Sequence, residues 1–146
     1  MEIIRDVLRR KGSEVYSISP DATVFEALRR MAQHNVGALM VMADAGRIVG
    51  IFSERDYARK IILQGKTSRE TLVREIMTPR VFYIKGSQSI EEGMAMMTRN
   101  KCRHLPVLDD DEELIGVISI GDIVKAVIHE KDFLIDQLEH YISGSL

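Results

Sequence analysis

The chain has 146 residues, 45% of them apolar and 29% charged, a balance that excludes a disordered segment. Its net charge of −2 leaves no basic excess for displacing counterions, so nucleic acid is not expected as a main partner. The single cysteine, Cys102, cannot close an internal disulfide, and no apolar run approaches the roughly 20 residues that span a bilayer.

In chain order, the opening stretch MEIIRDVLRRKG lacks the apolar core of a secretory leader. Ile3, Ile4, Val7 and Leu8 share one face of a short helix that Gly12 would stop. A cytoplasmic protein with no membrane partner is expected.

From Val15 the chain repeats itself. Residues 15–62 align without gaps on residues 81–128 at an offset of 66, with eleven identities in 48 pairs. These are Val15/Val81, Ile18/Ile84, Glu26/Glu92, Met31/Met97, Leu39/Leu105, Val41/Val107, Asp44/Asp110, Gly50/Gly116, Ser53/Ser119, Asp56/Asp122 and Ile62/Ile128. Average composition would give only about two or three by chance.

Each repeat reads βαββα. A first strand, VYSI or VFYI, precedes a capping box, Thr23 with Glu26 or Ser89 with Glu92. Val24, Ala27, Leu28 and Met31, matched by Ile90, Gly93, Met94 and Met97, then give an amphipathic helix. Two strands follow, ALMVM with IVGIF and HLPVL with LIGVI, joined by polar turns. A last helix starts near Ser53 or Ser119 and carries Tyr57, Ile61 and Ile62, or Ile123, Val127 and Ile128.

One such unit is too small to bury a core comfortably, so the twins are expected to pack with pseudo-twofold symmetry as a single module over 1–146. Residues 63–80 read as a linker in which Thr67 and Glu70 would cap a short helix ending by Pro79. Residues 129–146 read as a C-terminal helix, with Phe133, Leu134, Leu138, Tyr141 and Ile142 at helical spacing, docked on the body or on a second chain.

VYSISPDATVFEALRRMAQHNVGALMVMADAGRIVGIFSERD and HLPVLDDDEELIGVISIGDIVKAV resemble two consecutive CBS motifs. The whole chain is similar to stand-alone bacterial CBS-pair proteins and their plant mitochondrial relatives. The resemblance implies a mixed α/β (α+β) fold and the binding of an adenosine compound (AMP, ADP, ATP, S-adenosylmethionine or NAD) in clefts between the repeats. It also implies a homodimer and a regulated protein whose identity the residues do not disclose.

Ser53 and Asp56, with their twins Ser119 and Asp122, stand where a strand gives way to a helix. By themselves they form a helix N-cap. The resemblance adds a second role, in which the aspartate accepts from two ribose hydroxyls while the serine and helix N-terminus face phosphate. Arg103 and His104 align with Gly37 and Ala38. The basic pair suits an anionic ligand, and the small pair lets a ligand approach the backbone closely. Arg55 either adds charge for phosphate or is simply exposed.

By the same resemblance the adenine ring lies against the first strand of each repeat, at Val15, Tyr16 and Ile18 and at Val81, Phe82 and Ile84. Ile18 and Ile84 fit a plain strand core equally well. Catalysis is not expected, and neither a metal nor a catalytic cofactor: His34, His104, His129 and His140 join no nucleophile motif, Cys102 and His104 have no second zinc-ligand pair, and no phosphate-binding glycine loop is present. The alternative to nucleotide sensing is a module that only dimerises or docks a protein.

Overall fold

The computed structural model describes residues 2–143. Its elements are α1 (Ile4–Lys11), β1 (Ser17–Ile18), α2 (Val24–His34), β2 (Ala38–Met42), β3 (Ile48–Ser53), α3 (Glu54–Tyr57), α4 (Val73–Ile76), β4 (Ile84–Lys85), α5 (Ile90–Asn100), β5 (His104–Leu108), β6 (Leu114–Ser119) and α6 (Ile120–Ser143). The fold is mixed α/β, with two three-stranded sheets ordered β1-β2-β3 and β4-β5-β6. The chain divides into two compact units: Val15–Val81, and the stretch up to Glu14 joined with the stretch from Phe82 onward.

In the Val15–Val81 unit, β1 runs parallel to β2, with Ser17 opposite Met40 and Ile18 opposite Val41. Here β2 pairs antiparallel with β3, Ala38 facing Ser53. The Thr23 hydroxyl starts α2 by accepting the Glu26 N–H at 3.1 Å, and Asn35 stops it in the left-handed conformation, which asparagine tolerates better than most residues. Val24, Ala27 and Met31 on one face of α2 meet Leu39, Val41 and Phe52 of the sheet. Full burial of each large apolar side chain stabilises the unit by about 1.5–3 kcal/mol.

The other unit repeats this plan. Ser89 caps α5 through the Glu92 N–H at 3.1 Å, and α5 and α6 cover β4-β5-β6 with Ile90, Met97, Ile123 and Ala126. In both caps, among the described residues, only the hydroxyl half of the expected box forms; the Glu92 carboxylate accepts from Gln88 Nε2 at 2.8 Å instead.

Each core is completed by a helix from outside its own βαββα stretch. Ile4, Val7 and Leu8 of α1 are buried in the core of the second repeat, while Val73 and Ile76 of α4 are buried in the core of the first. Their backbones are held alike. Ile4 N–H donates to Gln88 O and Arg5 N–H to Gly86 O, as Val73 N–H donates to Ala22 O and Arg74 N–H to Pro20 O. The carboxylates of Asp6 and Glu75 accept from the N–H groups of Ile3 and Leu72.

Several boundaries differ from the sequence reading. The first strands shrink to Ser17–Ile18 and Ile84–Lys85; Val15, Tyr16, Val81 and Phe82 lie just outside them, although Met40 N–H still reaches Tyr16 O at 3.0 Å. Short edge strands of this kind limit open pairing sites. The helix in residues 63–80 starts at Val73 with Leu72 and Glu75 as its cap. Thr67 is outside it, its carbonyl accepting the Thr71 hydroxyl at 2.8 Å.

After α3 the chain widens into one π-helical turn, Ala58–Ile62, which buries Ile61 and leaves Ile62 exposed. The twin stretch runs straight on as α6 for 24 residues. The helix read over 129–146 is therefore the continuation of α6, and its last three residues lie outside the described residues. Phe133, Leu134, Leu138, Tyr141 and Ile142 are more than half exposed.

Candidate functional site

Both repeats bring a strand to its end at a serine and start a helix on the next residue. In the second repeat Asp122 N–H donates to Ser119 Oγ at 3.2 Å, and Ser119 N–H donates to Asp122 Oδ2 at 2.8 Å. This reciprocal pair satisfies two backbone donors at the helix start. A third donor arrives from the N-terminal helix: Lys11 Nζ bonds Asp122 Oδ2 at 2.8 Å and the Val117 carbonyl at 2.6 Å. The Ser119 N–H and the Lys11 ammonium both reach Asp122 Oδ2. Burial pushes the Asp122 carboxyl up, but Lys11 and Ser119 together outweigh it and hold it below its ordinary value.

Arg103 and His104 lie across the sheet from this turn. His104 pairs with Ser119 across β5 and β6, and the Arg103 carbonyl accepts the Ile120 N–H at 2.9 Å. The Arg103 side chain is exposed. Burial lowers the pKa of His104, the charge of Asp122 opposes that, and Lys11 and Arg103 add to it. His104 thus feels one carboxylate and two cations.

The first repeat holds its aspartate more tightly. Asp56 is 8% exposed. Its Oδ2 accepts from Ser53 N–H at 3.0 Å and Ser53 Oγ at 3.1 Å. Its Oδ1 accepts from Thr78 Oγ1 at 3.1 Å and pairs with Lys60 Nζ at 3.1 Å. Arg55, one residue before it, is exposed. Ala38 faces Ser53 in the sheet register.

Gly37 offers its carbonyl to Glu54 N–H at 3.1 Å and lines a cavity of about 340 Å³ with Leu28, Met31, Ala32, Asn35, Val36 and Glu54. A Cβ on Gly37 would meet nothing within 4 Å, so the backbone is open to close approach here.

The positions expected to face adenine divide. Ile84 is a core residue, 1% exposed. Phe82 packs on that core from its edge, and Tyr16 and Ile18 pack on the core of the first repeat. Val15 and Val81 are half-buried. The Tyr16 ring stacks on His34 with centroids 4.0 Å apart, so one face of that ring is covered by an imidazole.

Lys11, Lys60 and Thr78 were not singled out from the sequence. Lys60 lies four residues after Asp56, a helical ion-pair spacing. Lys11 and Thr78 sit at the ends of α1 and α4, and IRDVL against VREIM is the signal that relates those helices. Cys102 carries no sign of a nucleophile, since burial pushes its thiol up. Among the described residues no cluster of His, Cys, Asp and Glu could hold a metal ion, and no helix is long and apolar enough to cross a membrane.

Comparison with known proteins fits this geometry. The CBS-domain family profile matches residues 4–63 and 73–129, starting each copy at Ile4 or Val73, where α1 and α4 begin. The CBS domain-containing protein CBSX3, mitochondrial, of Arabidopsis thaliana is 40% identical over 97% of this chain and 72% of its own length. A CBS-domain protein from Burkholderia ambifaria superposes with a TM-score of 0.83 at 46% identity, covering 88% of this chain and 95% of that one. The CBS domain pair of protein MJ0100, in complex with 5′-methylthioadenosine and S-adenosyl-L-methionine, shares the fold with a TM-score of 0.78 at 22% identity, over 89% of this chain and 98% of that one. With two copies of the motif, two matching sheets and relatives of this similarity, the chain belongs to the CBS-domain family as a CBS-domain pair.

Proposed function

We propose that the chain is a regulatory module that binds an adenosine-containing ligand (AMP, ADP, ATP, NAD or S-adenosylmethionine) and signals its level to a partner protein. The observation that carries this reading is the Ser119–Asp122 turn. Its Oδ2 accepts the Ser119 N–H and the Lys11 ammonium, and Lys11 and Arg103 supply positive charge beside His104. A carboxylate matches a ribose diol, which offers two donors, and surplus cations match phosphate. That MJ0100 holds two adenosine compounds supports the ligand class.

Ser53–Asp56, with Gly37, Ala38 and Arg55, is the twin site. Val15, Tyr16, Ile18, Val81, Phe82 and Ile84 form the proposed apolar surroundings of adenine, Ile84 from within the core. The action is sensing without catalysis, and the cytoplasm is the proposed compartment.

The test is a titration calorimetry series with AMP, ATP, NAD and S-adenosylmethionine, alongside thermal melts. A ligand at 100 times its Kd adds about 2.7 kcal/mol of stability, a rise of several degrees for a domain of this size. No heat and no shift with any of the four would overturn the reading.

A second reading, a module that only dimerises or docks a protein, draws on α6. Its outer half presents Leu134, Ile135, Leu138, Tyr141 and Ile142 to solvent. A homodimer through this helix is compatible with ligand sensing.

A further inference from the structure

The N-terminal helix contributes a residue to the Asp122 turn that the repeat itself does not contain. Lys11 ends α1, and its ammonium crosses 111 residues of sequence to reach Asp122 Oδ2 at 2.8 Å. Among the described residues its one other anchor is the Val117 carbonyl at 2.6 Å. An ammonium has three donors on a flexible four-carbon stem, and the Lys11 side chain is one-third exposed. It is therefore free to change partner without unfolding anything.

The surroundings make such a change favourable for one class of ligand. Lys11 and Arg103 both act on His104, which also feels Asp122, so two cations stand in the surroundings of one carboxylate. A ribose that takes Asp122 must compete with Lys11 for Oδ2. A neutral nucleoside displaces the ammonium and offers it nothing. A nucleotide displaces it and also brings a phosphate to receive it, through a charge-assisted bond of the stronger kind.

The twin site is built differently. Asp56 has both oxygens engaged, with Thr78 Oγ1 and Lys60 Nζ on Oδ1 and Ser53 on Oδ2, and it is buried. Its cation stands four residues along the same helical stretch rather than on a separate helix.

We propose that Lys11 is the specificity-determining residue of the Asp122 turn: it holds the carboxylate until a ligand arrives and then transfers to the ligand's phosphate, so that nucleotides are admitted and nucleosides penalised. This rests on the reading of Asp122 as a ribose contact.

The experiment titrates AMP and adenosine into the wild-type chain and into Lys11→Met, Lys11→Gln and Lys11→Arg, with melts to show that each variant is folded. The wild type binds AMP at least about tenfold more tightly than adenosine, the scale of one charge-assisted hydrogen bond. Lys11→Met and Lys11→Gln bind adenosine at least as tightly as the wild type and AMP more weakly, which brings the two affinities within about threefold of each other. Lys11→Arg keeps the preference.

An unchanged AMP-to-adenosine ratio in folded Lys11→Met or Lys11→Gln, or no preference in the wild type, overturns the role of Lys11 and leaves Asp122 as a ribose contact intact. A wild type that binds neither compound overturns both.

Discussion

Gly116 of β6 lies beneath Leu8 of α1: a Cβ on Gly116 would stand 2.8 Å from Leu8 Cδ2. The twin relationship joins Gly50 of β3 to the end of α4, where a Cβ would stand 2.8 Å from Met77 Sδ and 2.9 Å from the Thr78 carbonyl oxygen. The glycine shared by both repeats is thus the seat of the helix that completes each core.

The two seats differ in what must yield. At Gly116 the obstacle is the end of a leucine side chain. At Gly50 it is partly backbone, pinned by the Ile51–Thr78 bridge whose two N–H···O bonds are both 2.9 Å. Overpacking of a filled site costs about 1–3 kcal/mol. Gly116→Ala should fall near the lower end of that range and Gly50→Ala near or above the upper end. Urea unfolding of both variants checks the order; equal losses would show that α4 moves as freely as Leu8.

Asp56 and Asp122 should separate under the same substitution. Asp56→Asn puts an amide where four donors converge on a buried carboxylate, and leaving buried donors unmet costs about 1–3 kcal/mol. Asp122→Asn disturbs a more open pair, so its effect on apo stability should be about 1 kcal/mol or less. Its effect on ligand should be larger, a loss of roughly 10- to 150-fold in AMP affinity. Calorimetry and melts on both variants check this. Unchanged affinity in Asp122→Asn would make Asp122 a cap and nothing more.

His104 should impose an acid-side loss of stability. Burial, reinforced by Lys11 and Arg103, holds its folded pKa below the ordinary 6.5. The unfolded chain therefore takes up a proton first as pH falls. The contribution is present above about pH 6.5 and is lost as pH drops toward the folded value. His104→Gln should flatten the fall in Tm between about pH 7 and pH 5. Asp122 does not confuse this window, because its carboxyl lies below an ordinary value of 3.8. Parallel curves for the two proteins would count against it.

The outer half of α6 should mediate self-association. Leu138 is 52% exposed in the middle of its apolar stripe, and a closed twofold pairing of two such helices would cover it. Light scattering should report about twice the 16.6 kDa chain mass for the wild type. Leu138→Glu should report one chain mass with an unchanged circular dichroism spectrum. A monomeric wild type would dismiss the dimer.

What the sequence determined by itself was local or periodic. Thr23 and Ser89 cap helices because each needs only a neighbour three residues on. The strands and helices of both repeats follow from apolar spacing, and the offset of 66 followed from counting identities. The family resemblance, and with it the roles suggested for Asp122, Arg103 and His104, followed from the same stretches.

Only the tertiary structure decided where α1 and α4 go. Their similarity, Ile4 with Val73, Val7 with Ile76 and Leu8 with Met77, runs at an offset of 69, which a gapless alignment at 66 passes over. The partners of the two aspartates were likewise beyond reach. Nothing local links Lys11 to Asp122 or Thr78 to Asp56, because such contacts arise when separate helices seat on a shared core. The two copies of one motif thereby became unlike: Asp56 saturated and buried, Asp122 held by a lysine that can leave.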